Sequence, residues 1–190
     1  LIIGIEDYEN TSKATFAKKD AKYFSKYAEN AFGIDPENIK LLTDNKANFI
    51  QSHKVIKKWL PSKIKPNITK VLIFFAGHGL STPDGKELFL LAHDSDTDLL
   101  EETALSRSSL FKKINSFKPK SVTVFFDTCY SGSSRDGNIL LADARPVTLL
   151  AKENLDVPSN FTIFSASQMD QISSGFRDAQ HGLFSYYLMK

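Results

Sequence analysis

The sequence predicts an α/β domain with a mainly parallel central sheet and helices on both faces. Three observations carry that prediction. Short apolar runs recur at 1–5, 39–42, 71–75, 122–126 and 161–164, and all but the second are rich in β-branched or aromatic residues. Runs of this make-up read as strands buried on both faces. Helical repeats lie between them, and such alternation is the pattern of parallel strands joined by crossover helices. At 190 residues the chain has room for one ordinary α/β domain, so 1–190 is read as a single unit.

Taken in order, Leu1-Ile2-Ile3-Gly4-Ile5 forms the first strand. Tyr23, Tyr27 and Ala31, with Phe24 and Ala28 beside them, repeat every four residues and stop at Gly33, which predicts a helix over 17–32. The turn Asp35-Pro36-Glu37-Asn38 leads into the run 39–42. Ile56, Trp59 and Leu60 continue a similar stripe from about Phe49 until Pro61, where the missing N–H should end the helix. After 71–75, the segment 87–92 suits a short antiparallel hairpin strand at the sheet rim, and 105–117 supplies a third helix. The segment 133–160 is long, polar and weakly patterned, which reads as a mobile connection between two neighbouring strands. A last helix starts near Gly182 and still continues at Lys190.

Composition narrows the function. Lys plus Arg number 24 against 22 Asp plus Glu, so a net charge of +2 leaves no strong field to recruit nucleic acid or an anionic membrane. No apolar run approaches the roughly 18 residues of a membrane span. The chain opens on Leu1 rather than Met, so any targeting segment is expected to have been cut away. A single cysteine, Cys129, excludes an internal disulfide and any Cys-based zinc cluster, which fits a cytoplasmic setting and leaves either an inert thiol or a reactive one.

Placement favours the reactive thiol. The run 71–75 leads into Ala76-Gly77-His78-Gly79, and 122–126 leads into Asp127-Thr128-Cys129-Tyr130-Ser131-Gly132. Each reactive residue stands three positions past the last apolar one. If the two strands are parallel neighbours, His78 and Cys129 emerge together at the carboxyl edge of the sheet, where open α/β folds bind ligands. Glycines beside both let backbone N–H groups approach a substrate, and a thiol near an imidazole is the minimal apparatus for acyl transfer.

These two motifs, 51 positions apart from His78 to Cys129, resemble those of the caspase-like cysteine peptidases of clan CD, family C14, nearest to metacaspases and prokaryotic caspase homologues. The resemblance spans the chain. It includes Gly4-Ile5, Lys19-Asp20-Ala21, Asp35-Pro36-Glu37-Asn38, Ser165-Ala166-Ser167 and His181-Gly182-Leu183-Phe184-Ser185-Tyr186. It implies a three-layer caspase-like fold, Cys129 as nucleophile and His78 as its acid/base partner, with the backbone N–H groups of Gly79 and Cys129 as oxyanion donors. Such a family has six core strands; five are visible, so the last is expected to be missing here or to lie on another chain, and further domains in a full-length protein are compatible with this reading.

Charge suggests the substrate. Asp127 lies two residues before the nucleophile and Asp20 opens the helix after the first strand; two carboxylates beside a cleft call for a cationic guest. The resemblance likewise implies a pocket for the side chain before the cut bond, lined by Asp20, Asp127 and Ser165, that takes Arg or Lys. The partner is then a polypeptide with a basic residue at the cleavage site. No cofactor is required for the chemistry. Relatives that need calcium would hold it partly through Asp136, and Asp94, Asp96 and Asp98 form a second acidic cluster. Arg135, Arg145 and Lys152 in the long connection offer sites for self-cleavage. His53, His93 and His181 read as structural or exposed.

Two rivals use the same residues. Cys129 to Arg135 also satisfies the C-x5-R pattern of cysteine phosphatases, but Asp127 would repel a phosphate dianion and the His78 motif would have no task. A catalytically silent caspase-like interaction module is the other.

Overall fold

A computed structural model of the chain describes residues 1–82, 86–128, 157–166, 175–176 and 178–190. Five parallel strands form the central sheet: β1 (Ile2–Gly4), β2 (Leu41–Thr43), β3 (Lys70–Ala76), β7 (Ser121–Asp127) and β8 (Phe161–Ser165), in the order β2-β1-β3-β7-β8. Between β3 and β7 in the chain lie three short strands, β4 (Gly79–Ser81), β5 (Leu88–Leu91) and β6 (Ala104–Ser106). They make a separate antiparallel sheet with β5 in the middle. The hairpin strand expected at the rim of the main sheet therefore belongs to its own sheet.

Alternation of side chains along β1, β3 and β7 divides the core in two. Ile3, Ile73, Phe75, Val124 and Phe126 point to one face, covered by the segment from α2 (Phe49–Lys54) through Val55–Trp59 to α3 (Leu60–Lys63) and by α5 (Arg107–Asn115), through Val55, Leu60, Leu110, Phe111 and Ile114. Ile2, Phe74, Ala76 and Phe125 point to the other, covered by α1 (Ala17–Asn30) and α6 (Leu183–Leu188). The three-layer arrangement follows directly.

Helix α1 docks very closely. Its buried stripe is Ala17, Asp20, Ala21, Phe24 and Ala28, one position off the tyrosine stripe read from the sequence, and Tyr23 is exposed. A Cβ on Gly4 would stand 2.3 Å from the Ala21 Cβ and 2.6 Å from the Ala17 carbonyl oxygen, so the glycine sets how near the helix lies to β1. Phe24 then stacks on Phe74 with ring centroids 4.3 Å apart, a contact worth about 0.5–1.5 kcal/mol beyond the area it buries.

Several element bounds differ from expectation for physical reasons. Pro61 does not end its helix. A π turn over Val55–Trp59 joins α2 to α3, with Leu60 N–H donating to the Val55 carbonyl. A wider turn of this kind suits the residues before a proline, whose ring would crowd the carbonyl four residues earlier in a regular helix. The helix expected from Leu105 starts only at Arg107. Ala104–Ser106 is taken by β6, and the Ser106 hydroxyl caps α5 at the Ser109 N–H. A one-turn helix, α4 (Leu100–Thr103), precedes β6.

The fifth apolar run is not buried on both faces: β8 lies at the sheet edge, and Phe164 is 47% exposed while stacking on Phe125. Near the carboxyl end, β9 (Gly175–Phe176) pairs antiparallel with β10 (His181–Gly182), which runs straight into α6. That helix ends at Leu188, two residues before Lys190. Of the connection expected over 133–160, residues 133–156 lie outside the described residues.

Candidate active site

Strands β3 and β7 are parallel neighbours, with Ala76 opposite Asp127 and Phe75 opposite Phe126. Gly4 on β1 is level with Ala76, and Ser165 on β8 is level with Phe126. Gly4, Ala76 and Asp127 thus form one row at the carboxyl edge, and β8 ends at Ser165 one row before it.

His78 leaves this edge through Gly77. At φ 156° Gly77 holds a backbone that L side chains rarely adopt, and a Cβ there would meet the Tyr8 hydroxyl at 2.5 Å. Gly77 N–H donates to the Asp127 carbonyl at 3.3 Å, carrying the β3–β7 ladder one residue further. His78 is 3% exposed. Its backbone N–H donates to Tyr8 Oη at 2.8 Å, and its ring lies 4.9 Å from the Tyr8 ring, centroid to centroid. Nε2 stands 2.9 Å from the Ser12 carbonyl oxygen. A carbonyl only accepts, so Nε2 carries the hydrogen in that bond, and a neutral ring then has its lone pair on Nδ1.

Gly79 opens β4 opposite Leu90, while the neighbouring bond runs from Leu91 N–H to the His78 carbonyl at 3.0 Å. This makes Gly79 and Leu90 a non-hydrogen-bonded pair, whose N–H groups turn away from the partner strand. Gly79 N–H therefore faces away from β5, beside His78.

Both acids expected in the pocket are fully buried. The Asp20 carboxylate faces inward from α1. It accepts from His181 Nδ1 at 2.5 Å through Oδ1 and from Gly182 N–H at 2.9 Å through Oδ2. Asp127 closes β7 and accepts from the Ser185 hydroxyl through Oδ2. Thr128, next in the chain, is buried as well. Ser165 is exposed at the end of β8. Cys129, Asp136 and the candidate self-cleavage residues Arg135, Arg145 and Lys152 lie outside the described residues.

The loop between β1 and α1 supplies Tyr8 and Ser12, and it is anchored from below. Asp44 accepts from the N–H groups of Glu6 at 3.0 Å and Asp7 at 3.2 Å and pairs with Lys18 Nζ at 2.5 Å. Burial pushes the Asp44 carboxyl up, but Lys18 and the two amides more than offset it, and the carboxyl lies below its ordinary value. Glu6 moves the other way, raised first by burial and then by Asp7 and Asp44.

The second acidic cluster is used by the backbone. Asp94 Oδ1 accepts from Phe49 N–H at 2.7 Å, and Asp96 Oδ1 accepts from Asp98 N–H at 2.9 Å. Among the described residues no group of three or more His, Cys, Asp or Glu side chains is placed to hold a metal ion. His93 bonds the Asp7 carbonyl through Nδ1 at 2.6 Å, and His53 packs edge-on against Phe49. Among the described residues no helix is long and apolar enough to cross a membrane.

The sequence reading missed Tyr8 and the Ser12 carbonyl, and it named His181 and Ser185 without placing them on Asp20 and Asp127. The usable signal was Asp20. It falls in the apolar stripe of α1, and a buried carboxylate must find donors elsewhere in the chain.

The chain is 28% identical over 156 residues to Metacaspase-1A of Aspergillus oryzae and, at the same identity and length, to Metacaspase-1A of Aspergillus terreus. In each case 72% of this chain is covered, and it spans about a third of the relative's length (35% and 36%). A crystal structure of a Geobacter sulfurreducens protein superposes with a TM-score of 0.71 at 18% identity, covering 99% of this chain and 78% of that one, which shows a shared fold. The profile of the caspase domain, Peptidase C14, matches residues 1–190 from end to end, and the chain belongs to that family.

Proposed function

We propose that the chain is a cysteine endopeptidase that cuts after Arg or Lys through a Cys129–His78 dyad. The observation that supports it most is the register of β3 and β7. With Ala76 opposite Asp127, the two chains leave the sheet side by side, one toward His78 and the other, two residues on, toward Cys129. In this reading the thiol proton passes to His78 and the thiolate attacks the scissile carbonyl carbon. The carbonyl π pair moves to oxygen, where the N–H groups of Gly79 and Cys129 receive it. Collapse breaks the C–N bond as His78 returns the proton to the leaving amine, and water then hydrolyses the thioester to a carboxylate and a free thiol. Asp20 and Asp127 set the preference for a basic side chain, and self-cleavage in the 133–160 connection and calcium binding through Asp136 belong to the same reading.

Hydrolysis of fluorogenic peptides ending in an Arg-, Lys- or Asp-amide, with calcium and with chelator, tests it. Turnover of the Arg and Lys peptides alone, abolished in Cys129→Ala, is the expected result. Turnover of p-nitrophenyl phosphate in their place would point to a phosphatase, and no turnover to a silent interaction module.

A further inference from the structure

The net charge of +2 hides an uneven distribution. From residue 45 to residue 83 the sequence holds seven lysines and no acidic residue, and from 103 to 126 it holds four lysines, Arg107 and again no acid. Folding brings these stretches together, since they supply the helices over one face of the sheet and the neighbouring strands β3 and β7. Because the strands are parallel, whatever precedes them gathers at one edge: Lys40 stands before β2, Lys70 heads β3 and Lys120 stands before β7. Acids collect at the opposite edge, with Glu6 and Asp7 after β1, Asp44 after β2 and Asp127 closing β7. The molecule is therefore polarised along its strands, basic at the amino edge and acidic at the carboxyl edge that carries His78.

Two turns meet at the amino edge. The first closes where the N–H groups of Ile68 and Thr69 donate to the Lys65 carbonyl at 3.1 and 3.0 Å, the second where Lys118 N–H donates to the Asn115 carbonyl at 2.9 Å. Asn67 N–H donates to the Lys118 carbonyl at 2.7 Å and Lys120 N–H to the Thr69 carbonyl at 2.9 Å, which ties the turns side by side. Lys65, Lys70, Lys118 and Lys120 are all exposed, and Ile68, carried by the same turns, is 69% exposed. Of the lysines in the two acid-free stretches, Lys63 alone reaches an acid among the described residues, Glu37 at 4.0 Å. We propose that the amino edge, at residues 65–70 and 115–120, docks on an anionic phospholipid surface. Ile68 enters the acyl boundary while the ammonium groups take the lipid phosphates. Nucleic acid would use the cations but not the isoleucine, and the nearby rings that could stack on bases are half-buried, Trp59 beneath Lys40 and Phe117 beneath Lys113. The carboxyl edge then faces away from the membrane, which leaves the His78 end open to a polypeptide. Docking of this kind needs no peptidase activity.

The test is sedimentation with vesicles of phosphatidylcholine mixed with phosphatidylserine and with vesicles of phosphatidylcholine alone, beside binding to a fluorescent duplex oligonucleotide. Wild type is expected to sediment with the mixed vesicles only. Lys65→Ala/Lys118→Ala should weaken that binding about twentyfold, at roughly fivefold for each cation near an anionic surface. Ile68→Ser should weaken it about tenfold, the worth of one apolar side chain taken out of water. Lys22→Ala/Lys26→Ala removes the same charge from exposed positions on α1 and should bind like wild type. A thermal melt of each variant reads folding separately. Failure of wild type to prefer the mixed vesicles overturns the proposal. A folded Ile68→Ser that binds them like wild type also overturns it, and with tight oligonucleotide binding would mark a nucleic-acid surface instead. Equal loss in Lys22→Ala/Lys26→Ala overturns it too, since the attraction would then be diffuse.

Discussion

Tyr8 holds His78 twice, by accepting its backbone N–H and by lying against its ring. Tyr8→Phe keeps the ring and removes the acceptor, leaving a buried N–H without that partner. Such a loss costs about 1–3 kcal/mol of stability. If His78 acts as the acid/base group, kcat should fall more than KM rises, since a displaced imidazole weakens proton transfer and not binding. Denaturant titration and peptide kinetics on the same preparation check both parts; unchanged stability would show that the hydroxyl is dispensable. At this scale the sequence was legible where chemistry is written locally. Gly77 precedes His78 because the backbone there passes close to Tyr8 and Phe75, and that requirement shows in the residue type itself. Tyr8 lies 70 positions away with nothing nearby to mark it.

Elements position these residues through contacts that leave little slack. The distance between α1 and β1 is set at Gly4, and α1 carries Asp20 to His181. Gly4→Ala should push the helix off the strand and lower stability by about 1–3 kcal/mol, the usual cost of overpacking, read as a fall in denaturant midpoint. A midpoint equal to wild type would mean that the helix shifts freely. The interrupted helix over 49–63 shows the limit of reading breakers alone. Pro61 predicted an end, and the π turn before it allowed continuation because Val55, Ile56 and Leu60 all gain burial against the sheet. Tertiary burial outweighed a local penalty there. The shift from helix to strand at 104–106 has the same origin, since pairing with β5 buries Ala104 and Leu105.

Across the whole molecule, the carboxyl edge is held by charge as well as packing, and this makes stability depend on pH. Asp44 lies below its ordinary value of 3.8 when folded, so the stability it contributes is fully present above that value and is lost as pH falls below it. His53, lowered by burial and by Lys57, loses stability in the same direction below 6.5, whereas Glu6, raised above 4.5, opposes both. Asp44→Asn should therefore be less stable than wild type near neutrality, and the gap should shrink as pH drops from about 6 to about 2. Urea titrations across that range measure it; a gap independent of pH would rule out the ionised carboxylate as the anchor.

By itself the sequence determined the alternation of strands and helices, the single thiol, and the glycine-flanked His78 at a strand end, because each is a pattern within a few residues. Only the tertiary structure decided that β3 lies beside β7, that β5 heads a sheet of its own, and that Asp20 and Asp127 answer to His181 and Ser185. Those outcomes depend on pairing and on satisfying buried polar groups between residues 58 to 162 positions apart. Such partners are chosen by which surfaces meet when the core closes, and no local periodicity records that choice.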